Sequence, residues 1–170
     1  MPHIAYRCFF KFCAKKPHAV FLIIGLFFGM IFLITVPAFA GGDEAAHFNR
    51  IFQISQGHLF GEKIPGGKGT YLSEAMYKYE VGTSPSVFIK SIFTGSTINS
   101  APLTTPMHFE NTELYTPITY IPQIASMLIA RLLDLSVPMA YYLARLSGFI
   151  AWLAICAYGI KKMRVFGWAA

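Results

Sequence analysis

Residues 19–50 read AVFLIIGLFFGMIFLITVPAFA and then GGDEAAHFNR, and the junction between the two halves decides how the rest of the chain is interpreted. Ala19 to Ala40 contains no charged residue. As a helix this run rises about 30 Å, enough to cross the hydrocarbon core of a bilayer. Directly after it, Gly41 to Arg50 brings Asp43, Glu44, His47 and Arg50 into the densest set of reactive side chains in the sequence. A span that delivers a polar cluster to a membrane surface is therefore the starting point.

Composition agrees with a membrane chain. An apolar fraction of 55% with 13% charged residues and a mean hydropathy of +0.50 is too apolar for an ordinary soluble domain. The net charge of +6 does not point to nucleic acid, because the basic residues sit beside apolar runs instead of forming a stripe among aromatics. The lipid bilayer is the expected partner, and no nucleic acid. Cys8, Cys13 and Cys156 all lie outside the long polar stretch, which excludes a disulfide scaffold there. His3, His18, His47, His58 and His108 are scattered, with no CxxC or HxxxH pairing, so no metal ligand set is assigned.

Residues 1–18 carry Arg7, Lys11, Lys15 and Lys16 without an acid and read as a basic cytoplasmic flank before a first transmembrane helix at 19–40. Ala38-Phe39-Ala40 also matches a signal-peptidase site. The retained anchor is the preferred reading, because the apolar run exceeds a 7–15 residue signal core and further apolar segments follow; either way residue 41 emerges outside the cytoplasm. Residues 41–114 hold seven acids against five bases and read as an extracytoplasmic loop. Within it, Phe48, Ile51 and Phe52 form an apolar stripe, Asp43 suits an N-cap and Gly57 a stop, which predicts a helix over 43–56 lying along the membrane surface. The turn-rich stretches 64–69 and 95–102 suggest a flexible flap, with a short helix over 71–79 and a strand over 86–93 between them.

Residues 115–133 are expected to form a second transmembrane helix, entered through Tyr115-Thr116-Pro117-Ile118-Thr119-Tyr120-Ile121-Pro122-Gln123. Arg131 and Asp134 then form an interfacial pair at a turn, and 137–160 is a third transmembrane helix interrupted by Arg145. Residues 161–170 are a basic end, read as the mark of a truncated chain. The fold expected is an all-α membrane protein with about three transmembrane helices and a long loop carrying surface helices. One conflict accompanies it: three spans starting inside place Lys161, Lys162 and Arg164 outside, against the positive-inside rule. Dominant N-terminal charges, a re-entrant second segment or later spans would each resolve it; the expectation is the first, with truncation.

On a helix, Asp43, His47 and Arg50 fall within about 60° of one another. Asp43 near the positive end of the helix dipole can accept a proton from a hydroxyl or bind a divalent cation. Arg50 and His47 can hold phosphate oxygens. The plainer reading is that Asp43 caps, Glu44 is a favourable first-turn acid, and His47 and Arg50 are ordinary exposed residues. Arg145 inside an apolar stretch either faces a cavity or reaches back to the interface. Tyr115, Tyr120 and Gln123 either line a cavity or anchor the interface.

Three segments taken together carry a resemblance: Asp43-Glu44-Ala45-Ala46-His47-Phe48 through Gln53-Ile54-Ser55-Gln56-Gly57, then Tyr115-x-Pro117-x-x-Tyr120-x-Pro122-Gln123, then Tyr142-Leu143-Ala144-Arg145-Leu146. In this order after a first span, they resemble a family of bacterial multi-spanning membrane proteins filed as a domain of unknown function, similar in layout to the GT-C glycosyltransferases. The resemblance implies an enzyme of the bacterial plasma (inner) membrane that moves a sugar from polyprenyl phosphate to an envelope polysaccharide or glycoconjugate acceptor. Asp43 and Glu44 match its loop acids and would be catalytic; His47, Arg50, Tyr115, Tyr120, Gln123 and Arg145 would bind substrate, with a divalent cation as the one cofactor considered. Such enzymes have many more spans, so this chain is expected to be their N-terminal part. The alternative is a non-enzymatic membrane component, transporter-like or an assembly partner in envelope polysaccharide biogenesis.

Overall fold

The structure, a computed structural model, describes residues 16–81 and 84–163. Expectations for 1–15 and 164–170 lie outside the described residues. In chain order the elements are α1 (Pro17–Thr35), α2 (Glu44–Ser55), β1 (Glu62–Ile64), β2 (Gly67–Ser73), α3 (Glu74–Val81), α4 (Pro85–Lys90), β3 (Leu103–His108), a single turn α5 (Glu110–Glu113), a 3₁₀ turn (Pro117–Tyr120), α6 (Ile121–Leu132) and α7 (Val137–Lys162). They divide into two units, one formed by the described residues up to Thr35 with those from Phe149 onward, the other by Val36–Gly148.

In the first unit, α1 has 19 residues and α7 has 26, and these are the two helices among the described residues long and apolar enough to cross a membrane. They run antiparallel. Phe21 meets Trp152 with ring centroids 5.7 Å apart, Leu153 occupies the space a Cβ would need at Gly25, and the Phe149 ring does so at Gly29. The two glycines, one turn apart, thus let the helices approach, as small residues do in lipid-facing pairs. Elsewhere on α1, Ile23, Phe27 and Phe32 are each 63% exposed, as expected of a helix solvated by hydrocarbon.

The expected second span is different. Tyr115 and Thr116 precede the helix, 117–120 is a 3₁₀ turn, and α6 has 12 residues, about 18 Å against a hydrocarbon core of about 30 Å. Its inner side, Met127 and Ala130, is fully buried, while Leu128, Ile129 and Leu132 are exposed. The 12-residue helix thus packs on the second unit through one face and leaves an apolar face uncovered. Its end is tied down by a neighbouring segment: Ile98 N–H donates to Leu135 O at 2.9 Å and Val137 N–H to Ser96 O at 3.0 Å, and the Ser136 hydroxyl donates to Ile92 O.

The second unit is also not all helical. β1, β2 and β3 form an antiparallel sheet in that order, so the turn-rich 64–69 stretch is a hairpin and not a flap. Ile64 pairs with Gly67 across a two-residue turn in which Gly66 has φ 93°, a conformation that glycine adopts at no steric cost. Gly69 is required for another reason, since a Cβ there would run into the Met107 carbonyl of β3. Two local expectations shift accordingly. Residues 71–73 belong to β2 and the helix begins at Glu74; 85–90 is helical, not extended, with Pro85 at its start, where a missing N–H costs nothing.

The central element is α2. Every residue from Phe48 to Ser55 is buried, because α2 packs against β2, α5 and α6. The sequence reading of a surface helix is corrected: both its apolar stripe and its polar stripe are covered. The core gathers Phe48, Ile51 and Phe52 with Leu72, Met76, Phe88, Ile98, Tyr120, Met127 and Tyr141. Phe39 completes it from the other side of the Gly-Gly turn, its ring 4.5 Å from Tyr141, 5.7 Å from Phe48 and 5.8 Å from Phe88. Its φ of 58° is unfavourable for a bulky residue by about 1 kcal/mol, which ring packing and an N–H bond to the Tyr141 hydroxyl at 3.0 Å offset.

Candidate functional site

Asp43 stands at the N-cap position of α2, but with φ −113° and ψ 4° its carboxylate makes no capping bond. The side chain is exposed and has no hydrogen-bond or ion-pair partner among the described residues. Only its backbone carbonyl is used, accepting His47 N–H at 3.0 Å. Capping therefore does not explain this acid. It stands free at the positive end of a rigid helix, where an anion is favoured.

Glu44, one residue on, is committed. Arg145 Nε lies 2.6 Å from its Oε1, with the two side chains 17% and 22% exposed respectively. The same guanidinium donates to the carbonyls of Val36 at 3.0 Å and Pro37 at 3.3 Å and lies 4.9 Å from the centre of the Tyr141 ring. Arg145 thus fastens the start of α2, the 36–37 segment and α7 together. Between the two readings open for it in the sequence, cavity-facing and snorkelling, the structure gives a third: an internal clamp. Glu44 Oε2 is buried without a hydrogen-bond partner, so this carboxylate has one acceptor in use and one open.

His47 and Tyr120 form the second contact. His47 Nδ1 is 2.7 Å from the Tyr120 hydroxyl, and the Tyr115 ring, 52% exposed, lies 5.6 Å from the imidazole. Burial raises Tyr120 above the usual phenol range, opposed by the field of Arg50 and assisted by Tyr115. The phenol and the imidazole thus share a short hydrogen bond in which either ring can carry the proton, depending on the histidine tautomer. By its spacing His47 lies one helical turn below Asp43 on the same face.

Arg50 shares that face but is 1% exposed. Its Nη1 donates to Gln53 Oε1 at 2.5 Å and its Nη2 to Leu59 O at 2.7 Å, and Gln53 Nε2 continues the chain to Gly69 O at 2.8 Å. Burial lowers its pKa from the ordinary arginine value, against the fields of Tyr120 and Glu113. Its partners are neutral, and it pins α2 to β2 and the 59 loop. Gln123 is placed elsewhere: its amide packs over Gly148, where a Cβ would collide with it, beside a Ser126–Ser147 hydroxyl contact of 3.1 Å. Arg131 does not pair with Asp134; it donates to Ser55 O at 2.6 Å, a cation at the negative end of α2.

The structure therefore brings His47 together with Tyr115 and Tyr120, sets Asp43 one turn earlier on the same helix, joins Glu44 to Arg145, and ties Arg50 and Gln123 into internal contacts. Sequence reasoning missed Asn49 and Glu80. Asn49, 1% exposed, donates to both Glu80 oxygens at 3.1 and 3.2 Å. Burial raises Glu80 above the usual carboxylate range, and the Asn49 amide only partly opposes it. The available signal was the polar spacing of Asn49 and Gln53, one turn apart on a helix taken to be exposed. Among the described residues no group of three or more His, Cys, Asp or Glu is arranged to hold a metal ion.

A family model described as "Predicted membrane protein (DUF2142)" matches residues 26–168. No curated protein and no solved structure matches the chain.

Proposed function

Because the chain belongs to the DUF2142 family of predicted membrane proteins, we propose that it acts in the bilayer as a membrane glycosyltransferase of the lipid-linked-sugar type, or as the N-terminal part of one. The donor is a sugar on polyprenyl phosphate and the acceptor a polysaccharide or glycoconjugate of the cell envelope. Asp43 takes the proton of the acceptor hydroxyl as its oxygen attacks the anomeric carbon, and the lipid phosphate leaves with the electron pair of the broken C–O bond. Glu44, held by Arg145, keeps the start of α2 in place, and the His47–Tyr120 pair offers a donor to a phosphate oxygen. The observation that carries this reading is the free, exposed carboxylate of Asp43 on a helix whose next turns are buried. A free acid on a rigid mount is what proton transfer to a positioned group requires.

The reading places 41–114 outside the cytoplasm of a bacterial plasma membrane. The antiparallel run of α1 and α7 supports it, because Lys16, His18, Lys161 and Lys162 then come to the same end of the pair. If the 12-residue α6 does not cross, both basic ends lie on one side, which accords with the positive-inside rule.

The test is Asp43→Asn in the full-length protein, assayed for transfer of labelled sugar from a polyprenyl-phosphate donor at matched protein abundance. A loss of at least 100-fold is expected for a general base; a wild-type rate would overturn the assignment. The second reading, a non-enzymatic membrane component of envelope polysaccharide biogenesis, is favoured by the internal use of Arg50 and Arg145. Under it, Asp43→Asn leaves envelope assembly unchanged while Arg145 variants abolish it through the fold.

A further inference from the structure

The first unit contains a feature that the transferase reading does not use. Along one side of the helix pair runs a groove of about 410 Å³, lined by His18, Leu22 and Leu26 of α1 and by Leu153, Ala157 and Lys161 of α7, among others. Its walls are almost entirely carbon, and His18 and Lys161 bound it at one end. The volume is in the range of small-molecule sites, and its form, an apolar trough with the exposed Lys161 at its rim, matches an amphiphile with an anionic head.

Charge separates this groove from an ordinary gap between helices. The residues of this unit, 1–35 and 149–170, contain seven Lys and Arg (Arg7, Lys11, Lys15, Lys16, Lys161, Lys162, Arg164) and no Asp or Glu. Half of the 14 basic residues of the protein are thus in a unit with no internal acid to neutralise them. Among the described ones, Lys161 lines the groove and Lys162 is drawn over the Tyr158 ring at 5.7 Å, so Tyr158 keeps a second cation beside the mouth. An acyl chain lying along Leu22, Leu26, Leu153 and Ala157 meets carbon on both sides with no polar group to desolvate, so the choice among lipids rests on the head group.

We propose that this groove is a binding site for an anionic phospholipid, one acyl chain along the trough and the phosphate between His18 and Lys161. The site holds the two spans at a fixed separation where their contacting residues, from Gly25 and Gly29 to Phe149 and Leu153, give way to a gap. It is independent of the transferase reading and survives its failure.

The experiment uses the full-length protein in nanodiscs of mixed phosphatidylglycerol and phosphatidylcholine with identical acyl chains, released and weighed by native mass spectrometry. The wild type is expected to retain phosphatidylglycerol in preference to phosphatidylcholine. Lys161→Gln should reduce that preference about fivefold, the effect of one cation near an anionic surface, whereas Lys90→Gln, on a helix of the other unit, leaves it unchanged. Ala157→Phe, which fills the trough, should remove the retained lipid while Lys161 is still present. Equal retention of the two lipids by the wild type overturns the proposal. So does cross-linking of a cysteine at Ala154 to a further helix of this chain or to a second copy, because the groove is then filled by protein.

Discussion

Replacing Arg145 by methionine tests the clamp that joins the start of α2 to α7. The change keeps the apolar stem and removes the guanidinium, leaving Glu44 about four-fifths covered without its counter-charge. It also deprives the Val36 and Pro37 carbonyls of their donors. Breaking a fully buried ion pair costs about 3–5 kcal/mol, and the partial exposure of both side chains puts this one near the low end, at about 3 kcal/mol. For a chain of this size that corresponds to a fall in Tm of about 6–12 °C. Thermal unfolding in nanodiscs, followed by tryptophan fluorescence, measures it. Glu44→Gln is the companion variant, and the double variant closes a cycle whose coupling should exceed about 1 kcal/mol for groups in direct contact. Arg145→Lys should recover less than half, because one ammonium cannot reproduce the forked contact with a carboxylate and two carbonyls. If Arg145→Met stayed within about 0.5 kcal/mol of the wild type and its effect added to that of Glu44→Gln, the guanidinium would be free in solution and the clamp would not exist.

Other consequences are open to direct measurement. Phe39→Ala removes a ring that touches Phe48, Phe88 and Tyr141 and should cost about 3 kcal/mol, read as a lower unfolding midpoint, with near-ultraviolet circular dichroism losing tyrosine signal. Glu80 has its pKa raised in the fold by burial, so the folded state binds the proton more tightly than the unfolded chain does. Its contribution is greatest below the ordinary glutamate pKa and declines as pH rises through the raised one. Glu80→Gln should consequently be stabilising at pH 8 by about 1 kcal/mol and flatten the stability profile on the acidic side, whereas a steeper profile would contradict the assignment. Finally, single cysteines in place of Lys90 and Lys162 should label from opposite sides of the membrane in intact cells; labelling of both from outside would exclude two crossings.

The two long apolar helices are legible from the residues alone, since α1 has no charge between Ala19 and Thr35 and α7 has none between Arg145 and Lys161. The middle segment is not. Residues 121–132 are apolar on both sides, with Met127 and Ala130 inward and Leu128, Ile129 and Leu132 outward, so composition suggests a span where only length, 12 residues, argues otherwise. The sheet was hidden for a different reason. Tyr71 pairs with Pro106 and Gly69 with His108, partners far apart in the chain, and the glycines that permit this close approach look locally like loop signals. At the candidate site, the spacing of Asp43, His47 and Arg50 is a property of any helix and was readable. Burial was not, because local rules assign Asn49, Arg50 and Gln53 to water and cannot register the tertiary partners that accept them.

The clamp and the aromatic cluster also bear on the timing of biosynthesis. Phe39 and Tyr141 are 102 residues apart in the chain, and Glu44 and Arg145 are 101 apart, so neither contact can form until α7 has been synthesised. At about 5–20 residues per second the ribosome needs about 5–20 s to cover that distance. During that interval α2 can meet β2, α5 and α6 as they emerge, but Phe48 lacks Tyr141 and Glu44 lacks Arg145. The core on that side therefore stays incomplete until α7 arrives and supplies Tyr141 and Arg145.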